Sequence, residues 1–462
     1  MSQKNSKTDL FESMPIPKAV AQLSIPMVIS SLVTVVYNLA DTYFVGMLNN
    51  PIENAAVTLV YPVMLAFYAF NNLFGVGTSS MMSRSLGRGD YERVKNSSAF
   101  GFYGALFSGL LFSLVCFIFR TPLLNLLGAD SQTRTATDNY LFWTVLCGAA
   151  PAILNVVQSQ MVRSEGSSLH AGIGTMSGCI LNIILDPIFI LPWGFNMGAA
   201  GAGLATFISN SVSCLYFIVL ARVKRGQTFC SMDIRRLKKV DKVVVKEILG
   251  VGIPASIQNL LNVTGTTILN NFTAVHGASA VAAMGVAQKL TMVPTQVAMG
   301  FSQGIMPLVS YNYASGDRKR MKKAITFSSV IVVPSMLLVS LGYWFGAGPL
   351  VQSFIDDPQI IAYGARFLRG LCIGITFLCF DFLVVGVFQA LGMGKNALVF
   401  AILRKLVLEI PLLYLLNALF PLYGLAYAQP VAEVILATVA VFMLQRIFQT
   451  QQPKQTSPKE TE

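Results

Sequence analysis

The sequence predicts an all-α integral membrane protein with twelve transmembrane helices in two six-helix lobes, which are related by a parallel repeat. Composition is the first indication. The chain has 462 residues, of which 54% are hydrophobic and 12% are charged, whereas about a quarter of an average soluble chain is charged. Its mean hydropathy is +0.62. So few charges cannot cover soluble domains with polar surface, which excludes a cytosolic enzyme, a secreted disulfide module and a disordered protein.

Twelve apolar runs follow one another along the chain, each long enough for a bilayer-crossing helix, which needs about 20 mainly apolar residues. None of them alternates in the way that the shorter strands of a membrane barrel do. The predicted spans are residues 23–47, 56–83, 98–119, 137–162, 169–192, 199–221, 249–274, 280–312, 324–345, 360–391, 396–418 and 422–445.

The placement of basic residues is the second indication. The chain carries 33 Lys+Arg against 21 Asp+Glu, a net charge of +12. With the amino terminus inside, the inside segments hold 26 of the 33 basic residues and the outside segments hold four. Basic residues are retained on the cytoplasmic side, so both termini are expected in the cytoplasm of a multi-pass cell-membrane protein. The basic loops are therefore expected to set topology rather than to bind nucleic acid.

An internal repeat is the third indication. Residues 89–95 match residues 316–322, and Ile25-Pro26 matches Ile253-Pro254, at offsets of 227 and 228. Six spans in each half give both halves the same orientation, a parallel repeat typical of transporters with the substrate path between the lobes. The predicted parts are a cytoplasmic amino terminus (1–22), an N-lobe (23–221), a basic connector (222–248), a C-lobe (249–445) and a polar tail (446–462).

Carboxylates inside the N-lobe spans are the strongest functional signal, because ionisable groups in a bilayer are costly and usually functional. Asp41 lies roughly 24 Å, and Asp186 roughly 26 Å, from the inner edges of their spans at 1.5 Å per residue. Thr206 reaches the same layer from the outer side. Asn182 and Tyr37 each precede one carboxylate by four residues and share its helix face. These oxygens predict a site for a hard cation such as Na⁺, or a carboxylate pair that holds a proton.

The C-lobe offers weaker candidates. Asp381 lies in span 10 without an obvious cation nearby in sequence, and it is a candidate for contact with substrate or ion. Glu409 is near mid-depth in span 11, where the i,i+4 spacing to Lys405 favours a structural ion pair. Lys289 in span 8 either snorkels to the interface or lines the cavity, and its neighbour Gln288 is a further cavity candidate.

Motifs for other functions are missing. The seven cysteines form no CxxC pair and the two histidines form no ligand set, which argues against a disulfide framework and a zinc site. Gly394-Lys395 lacks the rest of a phosphate-binding loop, so neither ATP hydrolysis nor a cofactor beyond a coupling ion is expected. No nucleophile–base pair or HExxH motif suggests an intramembrane enzyme. The expected partners are the lipid bilayer and small molecules, and the expected state is a monomer.

Several segments resemble the multidrug and toxic compound extrusion (MATE) family over roughly residues 15–445. The most specific are residues 37–46 (YNLADTYFVG) and 181–187 (LNIILDP). The resemblance also includes the glycine-rich runs at 75–78, 83–90 and 198–206 and residues 303–307 and 311–313. The resemblance implies two six-helix lobes around a V-shaped cavity and the efflux of cationic lipophilic drugs in exchange for Na⁺ or H⁺.

The same resemblance implies a cation site of Asp41, Asn182, Asp186 and Thr206, with Asp381 as a C-lobe carboxylate. Some family members carry a glutamate on span 7 where this chain has Asn262, so coupling is expected in the N-lobe. Two alternatives remain: a lipid-linked precursor flippase of the same superfamily, which would need a basic cavity, and a channel, which would need no coupled carboxylate.

Overall fold

The computed structural model describes residues 8–450, in which twelve long helical elements form two groups of six. We number them α1 to α12 in chain order. The N-lobe holds α1 Ile16–Gly46, α2 Pro51–Gly87, α3 Tyr91–Ile118, α4 (Arg134–Leu141, the π-helical Phe142–Cys147 and Ala149–Ser164), α5 Ser168–Ile190 and α6 Ala199–Val223. The C-lobe holds α7 Lys242–Ala274, α8 Ala278–Ser315, α9 Arg318–Gln352, α10 Pro358–Ala390, α11 (Gly394–Ile402, the π-helical Leu403–Glu409 and Ile410–Leu419) and α12 Leu425–Thr450.

Length and composition make most of these helices suitable for crossing a membrane. Within residues 8–450, nine are long and apolar enough by themselves, and α4 makes a tenth as a pair of segments bent by 46°. The other two are α8, which contains Lys289 and two prolines, and α11, which its π-helical segment divides into short pieces. The predicted twelve-helix bundle agrees with this architecture.

The repeated Gly-Asp motif marks equivalent helix starts in the two lobes. Gly89 and Gly316 have φ angles of +72° and +87°, a left-handed conformation that glycine adopts at no steric cost. The following Asp90 and Asp317 accept hydrogen bonds from the backbone N–H groups of Arg93 (3.0 Å) and Arg320 (2.9 Å). This capping stabilises the first turns of α3 and α9, so these helices begin before the apolar stretch that predicted them.

Glycine pairs let helices approach closely, as GxxxG spacing predicts. A Cβ on Gly370 would lie 2.8 Å from Ala426 Cβ of α12, and Gly178 faces α6 in a similar way. Gly300 and Gly304 of α8 instead face α1 of the other lobe, where a Cβ on Gly304 would lie 2.6 Å from the Cα of Ser24. The pair Gly300 and Gly304 therefore allows close contact between the lobes.

Contacts between the lobes lie toward the end of the bundle that carries the basic segments 84–97, 222–248 and 313–323, which we call the basic end. Arg84 of α2 pairs with Glu247 of α7 at 2.8 Å. The buried Arg163 of α4 donates a 2.8 Å hydrogen bond to Gln303 Oε1 of α8. Polar contacts of this kind hold the two lobes together at the basic end.

Residues 8–14 also pack at the basic end, although the sequence predicted only a polar terminus through residue 22. The fully buried Phe11 stacks on Tyr311 of α8 with ring centroids 4.8 Å apart. Its carbonyl accepts hydrogen bonds from Asn312 Nδ2 (3.2 Å) and Arg320 Nε (2.5 Å). Gly166, in the turn between α4 and α5, lies beside the Cζ and Cε2 atoms of the Phe11 ring. Residues 8–14 thus contact both lobes.

Candidate functional site

The N-lobe site is built where α5 and α6 meet, and Asn182 joins them. With its amide oriented to satisfy both neighbours, Asn182 donates to Asp186 Oδ2 at 2.9 Å and accepts from the backbone N–H of Thr206 at 3.1 Å. Asn182 and Asp186 are both buried, with 1% and 0% of their surfaces exposed. One amide therefore fixes the orientation of the Asp186 carboxylate and ties the two helices together.

Asp41 of α1 lies close enough to Asp186 for their charges to interact. Both residues are near the helix ends farthest from the basic end, as the rise per residue along α1 and α5 predicts. Tyr37 is half-buried one turn away on α1 and interacts with both carboxylates. Three helices thus bring the five predicted N-lobe residues, Tyr37, Asp41, Asn182, Asp186 and Thr206, to one layer of the lobe.

Two tyrosines that the sequence did not predict complete this layer. Tyr140, at the beginning of α4, is 4% exposed and interacts with Asp41 and Asp186. Tyr68 of α2 interacts with Tyr37 and Tyr140. Aromatic residues are frequent in membrane helices, so only their positions near the two carboxylates in the folded lobe distinguish these two tyrosines from the others.

Asp186 has spare capacity to bind a ligand. Its Oδ1 is buried and has no hydrogen-bond partner within residues 8–450, although buried polar atoms are normally paired. Neither Asp41 nor Asp186 belongs to an ion pair recorded among the described residues. The same part of the chain has no group of three or more His, Cys, Asp or Glu that could hold a metal ion. The oxygen ligands present suit a hard monovalent cation or a proton rather than a transition metal.

The C-lobe contains a larger buried cluster of charged side chains. Asp381 is 1% exposed, and its carboxylate interacts with Glu433 of α12, which is fully buried. Glu433 in turn accepts a 2.7 Å hydrogen bond from Arg404 Nε of α11. No basic side chain within residues 8–450 forms a salt bridge with Asp381, and both of its carboxylate oxygens lack a hydrogen-bond partner there. Arg404 reaches Asp381 through Glu433 because α10, α11 and α12 are adjacent in the fold.

The i,i+4 contact between Lys405 and Glu409 is present, with Lys405 Nζ at 2.6 and 2.7 Å from the two carboxylate oxygens. Both side chains are buried, with 5% and 4% exposed. Gly265 of α7 lies directly against the pair, where a Cβ would be 3.2 Å from Lys405 Nζ. All five charged residues of the cluster are therefore enclosed by helices α7, α10, α11 and α12.

The remaining C-lobe candidates lie outside this cluster. Asn262 of α7 is half-buried, and its carbonyl accepts a hydrogen bond from Thr266. Gln288 of α8 donates to Asn270 Oδ1 at 3.2 Å, on an exposed surface. The side chain of Lys289 is exposed. The structure brings none of these three into contact with Asp381 or Glu433.

Glu433 is the functional candidate that sequence reasoning missed. It is a single carboxylate within predicted span 12, flanked by apolar residues. The cost of burying a charge in a bilayer, which singled out Asp381, applies equally to Glu433. The signal was therefore present in the sequence, whereas the pairing with Arg404 depends on how three helices pack.

Two repeated lobes of membrane-spanning helices, with buried carboxylates of different helices at the same depth, are the architecture of a membrane transporter. A family model described as MatE matches residues 26–188 and again residues 254–415. The chain belongs to this family, the multidrug and toxic compound extrusion transporters. The two matches fall in the two lobes, in agreement with the internal repeat.

Similar proteins cover nearly the whole chain. "Multidrug export protein MepA" of Staphylococcus aureus (strain MRSA252) is 34% identical over 446 residues, which is 96% of this chain and 96% of that protein. The protein of the same name from Staphylococcus haemolyticus (strain JCSC1435) is 34% identical over 443 residues, again 96% of each chain.

Solved structures share the fold. One, described as the outward-facing conformation of a multidrug resistance MATE family transporter of the MOP superfamily, is 26% identical with a TM-score of 0.90, covering 96% of this chain and 98% of that one. Another is a MOP superfamily transporter from Pyrococcus furiosus Vc1 (DSM3638), described as having a binding pocket of reverse polarity that suggests a different function. It is 26% identical with a TM-score of 0.89 and the same coverage.

Proposed function

We propose that this chain is a secondary-active antiporter that exports cationic lipophilic compounds in exchange for Na⁺ or H⁺ bound at Asp41 and Asp186. The observation that carries the proposal is the free, buried Oδ1 of Asp186 beside a second carboxylate without a basic partner. The relatives named as multidrug export proteins support the direction of transport and the class of substrate.

The chemistry of the site suits an exchangeable ion. Two carboxylates close together in a poorly solvated site repel each other, so an added Na⁺ or H⁺ relieves that repulsion. Asn182 holds one carboxylate in place by its 2.9 Å hydrogen bond. The ion therefore finds a nearly prepared site and binds without ordering flexible side chains.

Ion binding is linked to movement of the lobes through differential affinity for two conformations. The site joins α1 to α5 and α6, and α1 also contacts α8 of the other lobe at Gly300 and Gly304. A change in the carboxylates is thus transmitted along α1 to the contact between the lobes. In the proposed cycle, an external ion displaces the drug from the outward-open state, and release of that ion inside prepares the next drug binding.

We place the basic end in the cytoplasm, with both termini on that side. The support is the distribution of basic residues, which are retained on the cytoplasmic side of membranes. The polar contacts between the lobes lie at this end, so the conformation described is one in which the cytoplasmic side is held together.

A transport assay tests the proposal. The purified chain is reconstituted in liposomes, and a Na⁺ gradient and a pH gradient are imposed separately while transport of a fluorescent organic cation is followed. At least one gradient is expected to drive transport against the concentration gradient of the dye.

Transport that follows only the concentration gradient of the dye would reject antiport. Single-channel currents would identify a channel. Movement of a lipid-linked precursor without dye transport would identify a flippase, although the buried C-lobe cluster of three carboxylates and two basic residues offers no excess of positive charge for such a substrate.

A further inference from the structure

A groove opens on the C-lobe surface between α9 and α12. Both helices pack on α10 and barely touch one another, which leaves a cleft of about 430 Å³ with Phe380 of α10 at its floor. Val330 and Val333 form part of one wall, and Val441 and Leu444 form part of the other. The cleft is not part of the carboxylate sites described above.

The groove has the length of one bilayer leaflet. Lys322 lies at its outer rim near the basic end, with its Nζ 5.1 Å from the ring centre of Phe448. Pro334, among the lining residues of α9 farthest from this rim, lies twelve residues along the helix from Lys322, roughly 18 Å at 1.5 Å per residue. Half of a hydrocarbon core is about 15 Å thick. The groove thus extends from the membrane interface to about the middle of the bilayer.

The polarity of the lining side chains decreases from the rim inward, as the polarity of a phospholipid decreases from its headgroup through its ester groups to its acyl chains. Lys322 is at the rim, and Thr326 and Gln445 lie about one helical turn deeper. The rest of the lining is apolar apart from Ser329, whose hydroxyl donates to the Ile325 carbonyl at 3.0 Å. Thr326 and Gln445 are exposed and make no recorded side-chain hydrogen bond within residues 8–450. About one helical turn below the rim, water is scarcer than at the surface, and the ester oxygens of a phospholipid are acceptors that these donors can bind.

The neighbouring carboxy-terminal segment is a poor candidate for the groove. Residues 451–462 follow α12 and contain no aliphatic or aromatic side chain apart from two prolines, so they offer little apolar surface to bury. A basic residue at the rim instead favours a negatively charged headgroup, since each lysine near the surface attracts anionic lipids.

We propose that this groove is a specific binding site for one acyl chain of an anionic phospholipid, with the headgroup at Lys322 and the ester oxygens at Thr326 and Gln445. The proposal does not depend on the coupling mechanism. It requires only that the C-lobe surface faces lipid.

Photo-crosslinking tests this site. The full chain is placed in nanodiscs of phosphatidylcholine that contain a trace of phosphatidylglycerol with a photoreactive group in one acyl chain, and labelled peptides are identified by mass spectrometry. Labels are expected on the groove-facing residues of α9 and α12. Unlabelled phosphatidylglycerol is expected to compete more strongly than phosphatidylcholine, by about fivefold for a single lysine.

Three variants separate a specific site from general lipid contact. Val330→Trp places a large side chain in the groove and is expected to remove the labels. Leu338→Trp is the matched control, because Leu338 lies on the same helix with 69% exposure, against 64% for Val330, but does not line the groove. Lys322→Gln is expected to retain labelling and to lose the preference for the anionic competitor.

Labels spread evenly over the exposed helix faces, or labels unchanged by Val330→Trp, would show general lipid contact and overturn the proposal. Equal competition by the two lipids would also overturn it. Absence of labels in the groove, together with a dimer of the chain in the nanodiscs measured by mass photometry, would assign the groove to an oligomer interface and overturn the proposal.

Discussion

In the N-lobe, the fully buried Asp186 lies beside Asp41, and neither carboxylate belongs to an ion pair recorded within residues 8–450. In the C-lobe, Glu433 and Glu409 are also buried, but each contacts a basic side chain, Arg404 at 2.7 Å and Lys405 at 2.6 Å. The two lobes share a fold and a repeat, so the contrast arises from side chains rather than architecture. The C-lobe supplies a basic side chain to Glu433 and to Glu409 but leaves both oxygens of Asp381 without a hydrogen-bond partner within residues 8–450, whereas in the N-lobe neither carboxylate has a basic partner there.

This difference is the reason for proposing that ion coupling takes place in the N-lobe. A buried carboxylate with a permanent basic partner has little to gain from another cation, because the partner already compensates its charge. A carboxylate pair without one changes its energy strongly when Na⁺ or H⁺ binds. Replacing residues in either lobe tests this contrast, and loss of an N-lobe carboxylate is expected to have the largest effect.

The largest effect is expected from Asp186→Asn and Asp41→Asn. Each amide has nearly the shape of the carboxylate but cannot bind a proton or balance a cation, so gradient-driven efflux should fall to the level of empty liposomes. The measurement is dye transport under imposed Na⁺ and pH gradients, with folding checked by size-exclusion chromatography.

Asp356→Asn is the matched control, since Asp356 is an exposed aspartate in the turn before α10. This variant should transport at the wild-type rate. Coupled efflux by either N-lobe variant at the wild-type rate would remove that carboxylate from the coupling site.

The second effect concerns stability. Arg404→Ala leaves the fully buried Glu433 without its basic partner, which is expected to cost about 3–5 kcal/mol. Reversible unfolding of the purified protein in mixed micelles measures this change. The double variant Arg404→Leu with Glu433→Leu removes both charges and should recover most of the loss. If the double variant were as unstable as the single one, the ion pair would not be the source of the effect.

A smaller effect is expected from Asn182→Ala, which removes the hydrogen bond to Asp186 Oδ2. Hydrogen bonds to charged groups contribute roughly 1.5–3 kcal/mol, and Asn182 is also a proposed cation ligand, so half-maximal efflux should require about 10- to 100-fold more Na⁺ if Na⁺ is the coupling ion. If H⁺ is the coupling ion, half-maximal efflux should instead require less H⁺, because the lost donor favours the ionised carboxylate. Asn155→Ala serves as control because Asn155 makes a 2.6 Å hydrogen bond to Asn210 of α6 without contacting either carboxylate. If both variants changed the ion dependence equally, the effect would come from a general destabilisation of the N-lobe and not from the hydrogen bond to Asp186.

The smallest effect on coupling is expected from Asp381→Asn. This change neutralises one of three carboxylates in a cluster that retains Arg404 and Lys405, so transport should still depend on the ion gradient although its rate decreases. Initial rates at varied Na⁺ concentration and varied pH measure that dependence. Loss of ion dependence in this variant would show that carboxylates of both lobes take part in coupling. The proposed difference in function between the two lobes would then be wrong.

Hydropathy and charge were sufficient to predict the helices and their grouping, because spanning a bilayer imposes length and composition on each element separately. The rise per residue also predicted that Asp41, Asp186 and Thr206 share one layer. The contacts of Tyr140 and the pairing of Arg404 with Glu433 were not predicted, because they depend on which helices become neighbours.

The π-helical segments were also not predicted. One of them carries Arg404, Lys405 and Glu409 on a single stretch of α11. Its extra residue per turn changes which side chains face the lobe interior, and periodicity in an apolar sequence does not reveal such a change.

The packing of Phe11 has a practical consequence for anyone who labels the protein. If the lobes separate at the basic end during transport, residues 8–14 have to leave either Gly166 or the surface formed by Tyr311 and Arg320. A bulky fusion joined immediately before residue 8 would hinder that departure and slow turnover. Affinity handles and fluorescent reporters at this terminus therefore belong on a long flexible spacer.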